Sequence, residues 1–197
     1  DLAARLANYI PCAEMSRFGK TGTDVTTAAI RLARAYTNRD NIITLKGGYH
    51  GWAEWSVCGD ELRWAGCDAM AQVHNITGIP KDSDLFKHGL ESKDFAAVIV
   101  EPESDPEFLR SLRESCTKTG TILIFDEIIT GFRFGMGGAQ QYYSITPDLA
   151  CFGKAMGNGM PISALCGKRE IMKLMEKVCF SGTFFGEALS LAAAIAT

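Results

Sequence analysis

Apolar residues follow two spacings along the chain, and together they predict helices that alternate with strands. Runs of mostly apolar residues, typical of strands buried on both faces of a sheet, occupy residues 41–45, 95–100, 121–125, 149–152 and 162–166. Apolar positions at helical spacing predict helices over residues 2–10, 24–36, 106–119, 169–178 and 187–197. A short strand is expected at residues 14–18, and residues 52–94 give no clear pattern.

This alternation predicts one domain of the α/β class with a mainly parallel sheet. Ligands of such sheets bind at the carboxyl ends of the strands. Several polar residues follow predicted strands at those ends: residues 21–23, Tyr49, His50, Glu101, Asp126 and Lys154. We therefore expect these residues to meet in one site.

Composition excludes several classes of protein. With 47% hydrophobic and 22% charged residues, the 197-residue chain has the balance of a globular protein and not of a disordered one. The net charge is −3 and there is no basic footprint, which argues against nucleic acid and anionic membranes as partners. Every purely apolar run is far shorter than the ~20 residues that span a bilayer.

Cysteine usage and the two ends of the chain add two expectations. The seven cysteines contain no C-x-x-C pair, and the three histidines lack metal-ligand spacing. This pattern predicts buried thiols in the reducing cytoplasm and no structural metal. The chain starts at Asp1, and its last predicted helix has no stop signal, so we expect a fragment of a longer protein.

Two segments suggest a nucleotide site. Gly19-Lys20-Thr21 looks like the end of a phosphate-binding loop, and residues 122–127 look like the apolar strand with an acidic pair that holds magnesium. However, Glu14 stands where that loop needs its first glycine. A glutamate there would place negative charge beside a phosphate, so this interpretation is the weaker one.

The requirements of pyridoxal phosphate are met more fully. This cofactor needs a lysine for its aldehyde, an aspartate for its ring nitrogen, a flat side chain over the ring and a helix N-terminus for its phosphate. Lys154 follows a predicted strand among small residues, Asp126 ends the most apolar strand, and Tyr49 lies in a glycine-flanked loop. Residues 21–23 precede a predicted helix, although they could also form a plain N-cap.

The same stretches carry a family resemblance. The chain resembles the class III, pyridoxal-phosphate-dependent aminotransferases of the fold-type-I superfamily, and within that class it is most similar to the glutamate-1-semialdehyde 2,1-aminomutases. The resemblance is carried by residues 17–23, 29–37, 49–51, 123–133 and 152–154. It implies a seven-stranded, mostly parallel sheet with helices on both faces. A full member is roughly twice as long. Residues 1–197 would therefore be an incomplete cofactor-binding large domain, without an N-terminal segment and the C-terminal small domain.

The resemblance also implies roles around the cofactor ring. Lys154 would be the catalytic lysine, which binds the aldehyde and moves a proton. Asp126 would be the second catalytic residue and pair with the pyridine nitrogen. Ile128 would pack on one face of the ring and Tyr49 on the other, and His50 would follow in the same loop beside the cofactor.

The phosphate roles follow from the same resemblance. Thr21, Gly22 and Thr23 would bind the phosphate of pyridoxal 5′-phosphate within one subunit. Thr183 would reach the phosphate of the neighbouring subunit in a homodimer, so the cofactor site would lie at the interface. No metal is implied.

The implied reaction is amino-group transfer on a small amino or keto substrate. It would follow the aminomutase pattern, in which the amino group returns to another carbon of one substrate, or the aminotransferase pattern with a separate keto acid. Three segments depart from the aminomutase pattern: residues 103–105 lack its asparagine, Asn158 replaces a glycine, and residues 184–187 replace Ser-Gly-Asn-Pro. These departures predict a different substrate. A relative that binds the cofactor or a partner without chemistry is the remaining alternative.

Overall fold

The computed structural model describes residues 1–57, 66–67, 75–81, 84–103 and 105–197. The described residues form a sheet of seven strands in the order β1-β7-β6-β5-β4-β2-β3. The strands are β1 (Met15–Gly19), β2 (Asn41–Leu45), β3 (Asn75–Ile79), β4 (Phe95–Val100), β5 (Ile122–Glu127), β6 (Leu149–Phe152) and β7 (Ser163–Gly167). Only β7 runs against the others, because its pairings with β1 and β6 are antiparallel and the remaining pairings are parallel. The predicted mostly parallel sheet is confirmed.

Each of the five predicted helices is present, although one is markedly shorter than predicted, and three further short helices of the described residues lie where none was predicted. They are α1 (Leu2–Tyr9), α2 (Gly22–Thr37), α3 (Glu54–Val57), α4 (Asp84–Glu91), α5 (Pro106–Thr119), α6 (Gly138–Tyr143), α7 (Arg169–Met172) and α8 (Ala188–Ala196). The helix predicted over residues 169–178 is only partly α-helical, because α7 passes into a 3₁₀ helix at Lys173–Glu176. The stretch without a clear pattern contains the short elements α3, β3 and α4.

Alternate side chains of the central strands enter two different cores. In β5, Leu123 and Phe125 belong to one core and Ile122 and Ile124 to the other, all at most 5% exposed. Helices α1, α4 and α5 contribute to the first core, and α2 and α7 contribute to the second. The sheet is therefore covered by helices on both faces, which is why its central strands are mostly apolar on both faces.

The expectation that the cysteines are all buried is wrong at two of the six described positions. Cys179 is exposed in a turn with a backbone φ of 52°, and Cys67 is half-buried. Four thiols are buried as expected: Cys12, Cys116, Cys151 and Cys166. Cys58 and His74 lie outside the described residues. Within the described residues no helix has both the length and the apolar character that crossing a membrane requires.

Candidate active site

A cavity of about 400 Å³ lies where the parallel strands end. Residues that follow β1, β2 and β6 line it, together with residues at the ends of β4 and β5. Seven of the nine predicted site residues are in this lining: Gly22, Thr23, Tyr49, His50, Asp126, Ile128 and Lys154. Thr21 and Thr183 are outside it.

Thr21 is outside the cavity lining and serves as the N-cap of α2. Its hydroxyl accepts a hydrogen bond from the Asp24 N–H at 3.3 Å, and the Asp24 carboxylate accepts from the N–H groups of Thr21 (2.7 Å) and Lys20 (3.1 Å). This reciprocal capping satisfies part of the helix end. The next two residues, Gly22 and Thr23, line the cavity, and the first N–H groups of a helix have no partner within it.

The loop that carries Tyr49 and His50 is fastened to the first turn of α2. Thr26 Oγ1 donates to the His50 carbonyl at 2.8 Å, and the Trp52 N–H donates to Thr23 Oγ1 at 3.3 Å. Between them, Gly51 has a φ of +104°, and a Cβ there would lie 2.5 Å from Thr23 Oγ1. Only glycine fits this close approach, because both the backbone conformation and the space exclude a side chain.

His50 and Asp126 form a buried pair under the cavity. The distance from His50 Nδ1 to Asp126 Oδ2 is 2.8 Å, and the side chains are 1% and 3% exposed. Because an ionised carboxylate can only accept, His50 Nδ1 carries the proton in this pair. Asp126 Oδ1 accepts a second hydrogen bond from the Ile128 N–H at 3.2 Å. Two donors from different segments thus fix the orientation of the Asp126 carboxylate.

Glu101 was expected at the site only from its place at a strand end, without a chemical role. Its Oε2 accepts the Tyr49 N–H at 3.1 Å, so it ties the loop after β2 to the end of β4. Burial raises the pKa of Glu101, and the hydrogen bond from Tyr49 and the nearby His50 oppose that rise. By contrast, Glu103 is exposed and outside the cavity lining, and Ser104 lies outside the described residues.

Ile128 lies between two glycines that leave space for it. A Cβ on Gly22 would lie 3.4 Å from Ile128 Cδ1, and a Cβ on Gly153 would lie 3.1 Å from the same atom. Lys154, next after Gly153, is exposed at the cavity and has a φ of +37° in the left-handed region. A lysine in this conformation is strained, which is typical of residues held for a function. Asn158 is also left-handed, with a φ of 44°, a conformation that asparagine tolerates almost as glycine does.

Glu127, the second member of the acidic pair, does not enter the cavity lining. It is 0% exposed and its carboxylate accepts hydrogen bonds from Thr130 Oγ1 (3.0 Å), Gln140 Nε2 (3.0 Å) and the N–H groups of Ala139 and Gln140. Burial raises the pKa of this carboxyl despite those donors. Glu127 therefore fixes the start of α6, and with Asp126 paired to His50 the two carboxylates are not arranged to hold magnesium.

The chain is similar to known proteins over its whole length. A family model described as "Aminotransferase class-III" matches residues 1–197. The chain is 39% identical to a glutamate-1-semialdehyde 2,1-aminomutase of Sulfolobus acidocaldarius, and the match covers 100% of the chain and 51% of that protein. An omega-transaminase from Sphaerobacter thermophilus has a TM-score of 0.87 at 28% identity, over 98% of this chain and 51% of that one. A structure described as a transaminase with PLP bound has a TM-score of 0.91 at 27% identity, over 99% of this chain and 51% of that one. The chain thus spans about half the length of the curated relatives it matches.

Proposed function

Because the chain belongs to the class-III aminotransferase family, we propose that the full-length protein binds pyridoxal 5′-phosphate in this cavity and transfers amino groups with it. The observation that carries the proposal is the convergence of seven predicted cofactor residues, from loops far apart in the sequence, on one cavity. The relatives that match over the whole chain are aminomutases by name, and a matching structure is a transaminase with PLP bound.

The residues present fit this cofactor by their own chemistry. Asp126 offers a buried, oriented carboxylate, which is the partner that a protonated pyridine nitrogen requires. Gly22 and Thr23 offer helix N-terminal N–H groups and a hydroxyl, which suit a phosphate. Ile128 supplies an apolar contact, and Tyr49, 51% exposed, supplies an aromatic ring at the cavity mouth.

We assign the chemical work to three side chains. When bound, pyridoxal phosphate supplies a protonated ring that accepts electrons from the substrate carbon that loses its proton. The Asp126 carboxylate holds the proton at the ring nitrogen, and the His50 Nδ1–H holds that carboxylate in place. Lys154 Nζ would hold the aldehyde end of the cofactor and, once a substrate amine had taken its place, would be free to accept and return a proton at the substrate carbon.

The test of this assignment is covalent labelling. The full-length protein is loaded with pyridoxal phosphate, reduced with borohydride, digested and mapped. We expect the pyridoxyl group on Lys154, and a group on another lysine or on none would refute the assignment. A non-catalytic relative would also be labelled, so candidate amines are then added to unreduced protein. A change in the cofactor absorbance that depends on the amine, with conversion of that amine into a keto or a rearranged amino product, separates an enzyme from a binding protein.

We further propose that the substrate is an amino or keto compound other than glutamate 1-semialdehyde. The support is Glu103, which faces solvent outside the cavity lining, so it does not take the place of the asparagine in the aminomutase pattern. The test is complementation of a bacterial strain that cannot make the tetrapyrrole precursor. We expect poor growth, and growth at the efficiency of a true aminomutase would contradict the proposal.

We also propose a cytoplasmic homodimer in which Thr183 serves the partner's phosphate. Thr183 is exposed and outside the cavity of its own chain, and the described cysteines are free thiols. Mixed dimers of a Lys154→Ala subunit and a Thr183→Ala subunit test the exchange. If Thr183 crosses the interface, both defects fall in one site and the other site keeps full cofactor affinity. If it does not cross, each site carries one defect.

A further inference from the structure

Lys20 is a basic side chain whose place in the site nothing above explains. It follows β1 directly and lines the cavity beside Gly22 and Thr23. Its side chain is 17% exposed, and its backbone N–H is held by Asp24. Within the described lining, Lys20 and Lys154 are the two lysines and there is no arginine.

The ammonium of Lys20 is held by two residues outside the cavity lining. Nζ donates to Glu187 Oε1 and, at 3.0 Å, to Ser190 Oγ, and neither of these residues lines the cavity. Glu187 is also the N-cap of α8, because its carboxylate accepts from the N–H groups of Leu189 and Ser190. The hydrogen bond from Lys20 is the main reason that the pKa of Glu187 falls to about 2. An ammonium has three donors, so one N–H remains for a ligand.

We propose that Lys20 binds the phosphate of the cofactor and that Glu187 is its counterion when the phosphate is absent. This inference rests on the proposed function. A phosphate monoester carries about −1.5 to −2 charge near neutral pH. The N-terminus of α2 offsets roughly half a charge, and the Gly22 and Thr23 amides are neutral. Lys20 is the full positive charge that the described lining places beside them.

A purely structural role predicts a different behaviour. If Lys20 only ties α8 to the loop after β1, its loss and the loss of Glu187 would have similar effects, and neither would depend on a phosphate. If Lys20 binds the phosphate, removing Lys20 weakens only phosphorylated ligands. Neutralising Glu187 leaves the ammonium free for the ligand and does not weaken binding.

The experiment measures binding in the full-length protein and needs no turnover. The probes are 4′-deoxypyridoxine 5′-phosphate and 4′-deoxypyridoxine, which lack the aldehyde and so form no bond with Lys154. Affinities are measured by equilibrium dialysis, with thermal unfolding as a check of folding. The variants are Lys20→Met, the conservative Lys20→Arg and Glu187→Gln. Lys177→Met removes an exposed lysine outside the lining and is the matched control.

We expect Lys20→Met to lower the affinity for the phosphorylated probe by about tenfold to a hundredfold, which is the range for the loss of a hydrogen bond to a charged group. The affinity for the unphosphorylated probe should change by less than about twofold, a difference of under ~0.4 kcal/mol in the free energy of binding. Lys20→Arg and Lys177→Met should keep most of the affinity for the phosphorylated probe. Glu187→Gln should bind that probe at least as tightly as the unchanged protein does. Equal weakening of both probes by Lys20→Met, or matching losses in Lys20→Met and Glu187→Gln, would overturn the inference. Failure of the unchanged protein to bind the phosphorylated probe would instead count against the proposed function.

Discussion

Substituting Asp126 by asparagine changes charge and hydrogen bonding without changing shape. The carboxylate of Asp126 accepts from His50 Nδ1 at 2.8 Å and from the Ile128 N–H at 3.2 Å. An amide has one accepting oxygen and one donating nitrogen, so it cannot accept from both. The Ile128 N–H is fixed, whereas an imidazole can carry its proton on either nitrogen. We therefore expect Asp126→Asn to fold with the His50 proton moved from Nδ1 to Nε2.

The stability that Asp126→Asn loses depends on the new position of the His50 proton. His50 Nε2 is buried and has no partner among the described residues, so an N–H there stays unsatisfied. Leaving a buried donor unpaired costs about 1–3 kcal/mol. In a domain of this size each kcal/mol lowers the melting temperature by about 2–4 °C. The effect on turnover is larger. Loss of a charge-assisted contact in the transition state, on the order of 3 kcal/mol, gives at least a hundredfold slower reaction.

Three measurements on the full-length protein test this reasoning. Thermal unfolding gives the stability loss, the ¹³C shifts of labelled His50 report the position of its proton, and steady-state kinetics give turnover. Asp148→Asn is the matched control, because Asp148 is also a buried, ion-paired carboxylate but lies outside the cavity lining. It should lose stability and keep turnover per folded molecule. Retention of more than about a tenth of the turnover by Asp126→Asn, less than ~1.4 kcal/mol at the barrier, would refute the assigned role.

Three further predictions test how the site is built. Gly51→Ala should cost clearly more than Gly47→Ala in urea unfolding. Each alanine lowers the free energy of unfolding by about 1–2 kcal/mol, because it must adopt a positive φ. A Cβ at Gly51 would also collide with Thr23, whereas a Cβ at Gly47 would have no other atom within 4 Å. Lys154→Gly should be more stable than Lys154→Ala by about 1 kcal/mol, since glycine relieves the left-handed backbone, and equal stabilities would exclude strain there. Burial raises the pKa of Glu101 above its ordinary value of 4.5. Its contribution to stability is therefore complete below that value and is lost as the pH rises through the folded pKa. Glu101→Gln should remove this loss of stability between acid and neutral pH, which urea unfolding at several pH values measures. If the free energy of unfolding keeps the same dependence on pH in this variant, the loss does not come from Glu101.

The strands were predictable from the sequence because burial on both faces leaves a continuous apolar run, but their ends were not. The apolar run over residues 162–166 predicts a strand that ends at Cys166, yet β7 runs from Ser163 to Gly167. The shift comes from the pairing of Gly167 with Met15 on β1 and with Leu149 on β6. A strand end thus depends on the register of its neighbour, which local composition does not contain. The short elements α6 and β3 escaped prediction for a related reason, since so few residues show no periodicity.

The residues of the site were predictable where chemistry and position coincide, as for Asp126 and Lys154 at strand ends. They were less predictable where one residue type serves two purposes. Thr21 had the right type and place both for a phosphate ligand and for an N-cap, and its hydroxyl accepts from the Asp24 N–H while its own O–H can still donate. A role for Glu101 in the site could have been predicted from the sequence, because a carboxylate directly after a fully buried strand lies at the ligand-binding edge of the sheet.

Glu187 shows why departures from a family pattern need a structure before they are interpreted. From the sequence, the segment 184–187 as a whole indicated an altered border of the site and a shifted substrate. In the fold, Glu187 contacts Lys20, a residue 167 positions earlier, and caps α8. A carboxylate here without a lysine at position 20 would place an uncompensated negative charge near the phosphate end of the cavity. The two residues therefore make physical sense only together, and we expect relatives that carry one of them to carry the other.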